Sequence, residues 1–213
     1  MNNIEAAIFD LDGTLVDSMW VWEQIDIDYL NKFGHAVPEN LTDEITHLTF
    51  SETAHYFKSR FTIEDSLDDI MSTWSAMAFD YYSNIVKLKP GALEYLHKLK
   101  SMNIKIALAT SNSRPLLEAV LKNNDIYHLF DAITTTDEVA RNKNFPDIYL
   151  TSAKKLNVNP HNCVVFEDII AAVKGAQCAN MKVVAIYDKH SEHQTEILKS
   201  TAYKYITDYS ELL

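Results

Sequence analysis

The sequence predicts an α/β protein: a parallel sheet with helices on both faces, interrupted directly after its first strand by an all-helical segment. Three observations predict it. Residues 4–9, Ile-Glu-Ala-Ala-Ile-Phe, form an apolar run that stops at Asp10 and Asp12. From Ser18 to about residue 86 the hydrophobic period is helical throughout. After Lys89-Pro90-Gly91, short apolar runs alternate with amphipathic stretches to the end of the chain, the pattern of strands joined by crossover helices.

The elements follow in order. Residues 4–9 are the first strand. Trp22, Ile25, Tyr29 and Phe33 recur at helical spacing, and Gly34 is placed to end that helix. Thr49-Phe-Ser-Glu52 has the spacing of a capping box and opens a helix carrying Ala54 and Phe57. Ile70, Trp74, Met77, Tyr81 and Ile85 give a long amphipathic stripe. Beyond the break at Pro90-Gly91, Leu93, Leu96 and Leu99 mark a helix, and Ile104, Ile106 and Leu108 a strand ending at Thr110-Ser111. Pro115 belongs in the first turn of the next helix. Strands are expected near 131–135, 163–166, 182–187 and 203–206, and helices near 146–156, 169–179 and 191–199. The domain plan is a core of residues 1–16 and 88–213 around a helical insert of residues 17–87.

Composition narrows the function. The 213 residues suffice for one core plus a small insert, and 47% hydrophobic with 23% charged residues fits a globular chain. Thirty acids against 19 Lys and Arg give a net charge of -11, a surface that repels nucleic acid. No stretch of about 18 apolar residues exists to span a membrane. The N-terminus lacks the basic-then-apolar pattern of a signal peptide, so the expected location is the cytoplasm. Cys163 and Cys178 form no metal-binding pattern and read as free thiols. The expected assembly is a monomer or weak dimer.

Chemistry-bearing residues collect at the carboxyl ends of the predicted strands, where parallel sheets bind ligands. Asp10 and Asp12, two apart, leave the first strand in one direction, although the turn at Gly13 can redirect the second. Such a pair suits a hard cation, covalent or acid/base chemistry, or both. Thr110, Ser111 and Asn112 end the next strand just before a helix, where a hydroxyl suits a phosphate oxygen or a helix cap. Lys143 lies in the polar loop Arg141-Asn-Lys-Asn-Phe-Pro-Asp147. Cys163-Val-Val-Phe runs into Glu167-Asp168, adjacent acids that repel unless a cation joins them.

These strings resemble the haloacid dehalogenase superfamily of phosphohydrolases. Asp-Leu-Asp-Gly-Thr-Leu-Val-Asp, residues 10–17, is similar to that family's first motif, Thr110 to its second, and Lys143 before Pro146-Asp147 to its Gly-Lys-Pro-x-Pro-Asp. Glu167-Asp168 matches its Glu-Asp-Ser-x-x-Gly. Five positions depart: Asn142 and Asn144 replace a glycine and a proline, Ile169 and Ala172 replace the serine and glycine, and Asn180 stands where a glycine is common in the family. The match spans essentially the whole chain, and the insert resembles the small helical cap of the beta-phosphoglucomutase and phosphoglycolate phosphatase subclass.

The resemblance implies a Rossmann-like core and an Mg²⁺-dependent phosphatase of a small phosphorylated metabolite. It makes Asp10 the nucleophile, Asp12 the acid and base, and Thr110 and Lys143 the groups holding the transferring phosphoryl. Metal binding falls to Asp10, Asp12 through its backbone carbonyl, Asp168 and Glu167. Substrate contacts fall to Ser111 and Asn112, and in the cap to Trp22 and His47. Two alternatives stand beside hydrolysis: a sugar phosphomutase, and a phosphate-ester binding protein without catalysis. Against the mutase, Trp22 stands near the place of the histidine those enzymes keep.

Overall fold

The computed structural model describes residues 4–45 and 48–213, with Asp43 described by its backbone alone. His47, expected to contact substrate, lies outside the described residues. The chain forms two compact units, one of residues 1–19 and 86–213, the other Trp20–Ile85.

The first unit is built on a six-stranded, all-parallel sheet. Its strands are β1 (Ala6–Phe9), β4 (Lys105–Thr110), β5 (Ala132–Thr135), β6 (Cys163–Glu167), β7 (Lys182–Ile186) and β8 (Lys204–Ile206), and they lie in the order β5-β4-β1-β6-β7-β8. Two short strands, β2 (Val16–Asp17) and β3 (Lys87–Leu88), pair antiparallel as a separate ribbon. Helices α5 (Ala92–Ser101), α6 (Arg114–Asn123), α7 (Asp147–Leu156), α8 (Ile170–Cys178) and α9 (Thr195–Thr201) connect the sheet strands or follow them.

β1 is a central strand because it can be buried on both faces: Ala6, Ala7, Ile8 and Phe9 have no exposed surface. It pairs with β4 through Phe9 opposite Leu108, and with β6 through Phe9 opposite Phe166. The chain leaves β1 toward β4 and β5, then returns to β1's other side with β6. That reversal opens a crevice at the carboxyl ends of β1, β4 and β6. Beneath it Phe9 stacks on Phe166, centroids 4.5 Å apart and planes 6° apart. The Tyr209 hydroxyl donates to the carbonyl of Thr14 at 3.2 Å, tying the C-terminal segment under the same corner.

The second unit contains α1 (Val21–Lys32), α2 (Leu41–Ile45), α3 (Phe50–Arg60) and α4 (Leu67–Asn84). Thr49 caps α3 in a full capping box with Glu52, as its spacing predicts. The core is aromatic: the Trp74 ring lies 4.9 Å from Phe57 and 5.5 Å from Tyr29.

Several local expectations shift. On α1 the buried stripe is Val21, Ile25 and Tyr29, while Trp22 is 42% exposed. On α4 it is Ile70, Trp74, Ala78 and Tyr82, with Met77 and Tyr81 half-buried and the following Ile85 exposed. Large side chains drew the predicted stripe, whereas the helices pack through small Ala78 and strict i, i+4 steps. The helix expected at 191–199 is a 3-10 turn, Glu192–Gln194, followed by α9, because the backbone first turns at Asp188–Ser191. The β2–β3 ribbon gives no sequence signal, since two residues per strand cannot show a period.

Candidate active site

Asp10 immediately follows β1, and its backbone N–H donates to Phe166 of β6 at 3.0 Å. The side chain is buried. Gly13 then turns the chain at φ +76°, a conformation that strains any residue with a Cβ. A Cβ there would also lie 2.7 Å from Asp168 Oδ2. The glycine therefore lets the first loop close onto the end of β6. Thr14, fully buried, donates its hydroxyl to Asp168 Oδ1 at 3.1 Å.

Lys143 reaches in from the loop before α7. Its Nζ donates to Asp10 Oδ1 at 2.5 Å and lies 2.5 Å from Glu167 Oε1. The Tyr149 hydroxyl, buried on α7, donates to the same Glu167 oxygen at 2.8 Å. Among the described residues, Glu167 Oε2 is buried with no hydrogen-bond partner. Asp10, Glu167 and Asp168 each offer an oxygen within 4.8 Å of the others.

Asp12 accepts from two side chains. Ser18 Oγ donates to its Oδ1 at 2.7 Å, and Asn112 Nδ2 to its Oδ2 at 2.8 Å. Asn112, expected to face substrate, thus spends its amide within the protein, its Oδ1 accepting from Ser113 N at 2.7 Å. Thr110 is buried at the end of β4, and its hydroxyl accepts from the N–H of Asn112 at 2.9 Å. Ser111 is exposed between them. So the α/β unit brings together Asp10, Lys143, Glu167 and Asp168, and ties Asp12 to the Thr110–Asn112 turn. Trp22 lies in the helical unit, its ring 5.8 Å from that of Phe50.

Charge in the cluster is unbalanced: three carboxylates meet one ammonium. Burial, reinforced by Asp10 and Asp168, pushes Glu167 up to about 8 despite Lys143. Burial and the charge of Asp10 push Asp168 up to about 7. Burial disfavours the charge on Lys143, but Asp10 and Glu167 outweigh it and hold its pKa above the usual lysine value. The cluster therefore has a place for further positive charge.

Residues 7–186 match the model of the haloacid dehalogenase-like hydrolases. The chain belongs to that family. This hydrolase is 33% identical over 180 residues to a phosphorylated carbohydrates phosphatase of Thermotoga maritima, covering 84% of this chain and 83% of the relative. It is 27% identical over 192 residues to hexitol phosphatase B of Escherichia coli, covering 86% and 83%. A crystal structure of a putative beta-phosphoglucomutase from Thermotoga maritima superposes with a TM-score of 0.86 at 28% identity, covering 99% of this chain and 97% of the other. The hydrolase is an enzyme, and among its described residues no helix is long and apolar enough to cross a membrane.

Sequence reasoning missed Thr14, Ser18 and Tyr149. Thr14 and Ser18 stand in or beside the first motif, where a hydroxyl next to paired acids was a usable signal. Tyr149 had none: an aromatic on an amphipathic helix reads as core. A part-buried ion pair was missed too, Lys89 Nζ to Asp188 Oδ2 at 2.6 Å, since 99 residues separate its partners.

Proposed function

We propose that the protein is an Mg²⁺-dependent phosphatase of a small phosphorylated metabolite, working through an aspartyl-phosphate on Asp10. The observation that carries this reading is the buried contact of Lys143 with Asp10, set within the Asp10–Glu167–Asp168 cluster.

The residues fit a small hard cation. The donors are all oxygen, the cluster carries surplus negative charge, and Glu167 Oε2 is a buried acceptor without a donor, which is costly unless a ligand meets it. Asp10, Asp168, Glu167 and the backbone carbonyl of Asp12 would hold Mg²⁺, which when bound supplies neutralising charge beside the transferring group.

The remaining steps belong to the chain. Lys143 orients the Asp10 carboxylate, and an Asp10 oxygen attacks phosphorus in line. As that bond forms, the bond from phosphorus to the leaving oxygen breaks, and Asp12 gives its proton to the departing alkoxide. Ser18 and Asn112 hold Asp12 in place for this transfer. Lys143 and Thr110 bind the phosphoryl oxygens, with Ser111 at the turn beside them. Water then attacks phosphorus, Asp12 takes its proton, and Asp10 is freed with release of inorganic phosphate.

Hydrolysis is favoured over mutase chemistry by Trp22. An indole cannot relay a proton as imidazole does, so nothing there couples acid/base activation to a returning sugar. The Trp22–Phe50 pair is an aromatic surface suited to stacking on a sugar or base. The relatives' printed names point to phosphorylated carbohydrates and hexitols as the first esters to try.

The test is hydrolysis of p-nitrophenyl phosphate with and without Mg²⁺, then of a panel of sugar and hexitol phosphates. Metal-dependent phosphate release is expected. No release from any ester would sink the phosphatase reading in favour of binding alone. Conversion of β-glucose 1-phosphate to glucose 6-phosphate with little free phosphate would replace it with the mutase.

A further inference from the structure

Gly175 lies inside α8, where a glycine costs about 1 kcal/mol relative to alanine. It is not among the residues with positive φ, so its conformational freedom goes unused. What sets it apart is the neighbour above it. A Cβ built on Gly175 would lie 2.0 Å from the carbonyl oxygen of Lys143, and 3.1 Å from the carbonyl carbons of Lys143 and Asn144. All three are backbone atoms, which cannot swing aside as a side-chain tip would. The loop carrying the lysine rests directly on the bare backbone of α8.

We infer that Gly175 is a positioning residue for Lys143: its missing side chain sets the depth at which the loop sits, and so the reach of the ammonium to Asp10 and Glu167. The inference rests on the reading of Lys143 as a participant in phosphoryl transfer.

Two further observations support it. The loop itself has neither the glycine nor the proline of the family's motif. Asn142 stiffens it only locally, its Oδ1 accepting from Asn144 N at 3.2 Å and its carbonyl from Phe145 N at 3.1 Å. These bonds shape the turn but do not fix its height over the helix. Second, the fourth motif's glycine is absent here, and Ala172 fills its position fully buried. Gly175 is three residues on, on the same helix face. The glycine of α8 thus stands one turn further along, at the place where the lysine loop touches.

The experiment compares Gly175→Ala with wild type in three measurements: thermal melting, p-nitrophenyl phosphate turnover in Mg²⁺, and the NMR signal of the Lys143 ammonium. The signal is read in protein labelled with ¹⁵N-lysine and assigned by its loss in Lys143→Met. Relieving the contact moves the loop by about 1 Å, a misplacement that can cost about a hundredfold in rate. In folded Gly175→Ala, kcat is expected to fall by about ten- to a hundredfold, and the ammonium signal to shift or vanish into solvent exchange. A helix role alone would alter melting and leave that signal in place. An unchanged signal with kcat within twofold of wild type overturns the inference.

If Gly175→Ala does not fold, Ala172→Gly carries the decision. Lys143 is already seated, so restoring the motif's glycine should leave kcat within about twofold, and a rise of tenfold or more would show that Gly175 does not seat it. Should wild type hydrolyse no ester at all, the phosphatase reading fails, while the ammonium signal still decides the seating.

Discussion

The two units bury different things. The α/β unit closes around charge: Asp10, Lys143, Glu167 and Asp168 are all buried at the carboxyl end of its sheet. The helical unit closes around rings, with Tyr29, Phe57 and Trp74 in mutual contact. Buried like charges oppose folding and persist only where neighbouring structure holds them, whereas buried rings favour it. Function and stability thus reside in separate chemistry. A substitution at the strand ends should change turnover and spare the fold. One in the ring cluster should weaken the fold of its own unit.

Asp10→Asn breaks the comparison most sharply if it fails. It removes the nucleophile and one of three crowded carboxylates, so activity should fall by about a thousandfold or more. The melting temperature in chelator should hold or rise. Steady-state hydrolysis beside a thermal melt checks both, and near-wild-type turnover would discard the mechanism.

Trp74→Ala is the counterpart in the helical unit. Removing a buried indole costs about 3–5 kcal/mol. The chain's three tryptophans, Trp20, Trp22 and Trp74, all lie in that unit, so indole fluorescence reports on it alone. Denaturant unfolding followed by Trp20 and Trp22 should show its midpoint collapse. A loss below about 1 kcal/mol would mean that the rings do not carry the unit.

The charge cluster should also make stability depend on pH in the absence of metal. Glu167 and Asp168 have folded pKa values raised to about 8 and about 7, above ordinary carboxylates. Between the unfolded and folded values the native state binds more protons, so its stability is full below about pH 4 and is lost as pH rises through 7 and 8. In EDTA the melting temperature should therefore fall from pH 5 to pH 8. Mg²⁺ should restore more of it at pH 8 than at pH 5, and Glu167→Gln should flatten the slope. A flat profile in EDTA would contradict the raised values. Asp26, pushed up to about 7 by burial and Glu23, adds a slope of the same sign from the helical unit, which Asp26→Asn isolates.

The smallest effect belongs to a helix end. Thr49→Ala removes the side-chain half of the capping box of α3, the acceptor for the Glu52 N–H, and leaves the bond from the Thr49 N–H to the Glu52 carboxylate; it should cost about 1 kcal/mol, with no change in turnover chemistry. Thr49→Ser should recover most of it.

The same contrast governs how much the sequence discloses. The placement of Asp10, Thr110 and Asp168 at strand ends was legible because a parallel sheet gathers the ends of its apolar runs, whereas Thr110 and Lys143 were singled out only through the family resemblance. The neighbours of these residues were not, because Tyr149 and Ser18 meet them through contacts that local spacing does not encode. In the helical unit α1, α3 and α4 were legible and the short α2 was not, and the buried face was read correctly on α3 but not on α1 and α4. Trp22 and Ile85 are large and apolar yet exposed, since volume on a helical wheel does not reveal which neighbour will approach through a small residue such as Ala78.

The β2–β3 ribbon carries a consequence for ancestry and for engineering. Val16 faces Leu88 and Asp17 faces Lys87 across an antiparallel pair. The chain thus departs and returns at points about 5 Å apart. To the host sheet, everything from Trp20 to Ile85 is the tip of a hairpin, whatever its length. Because the two ends are adjacent, one insert can be exchanged for another, or for a tight turn, without re-registering a single strand of the sheet. The module at this junction is a cassette, replaceable without disturbing the order of the sheet strands.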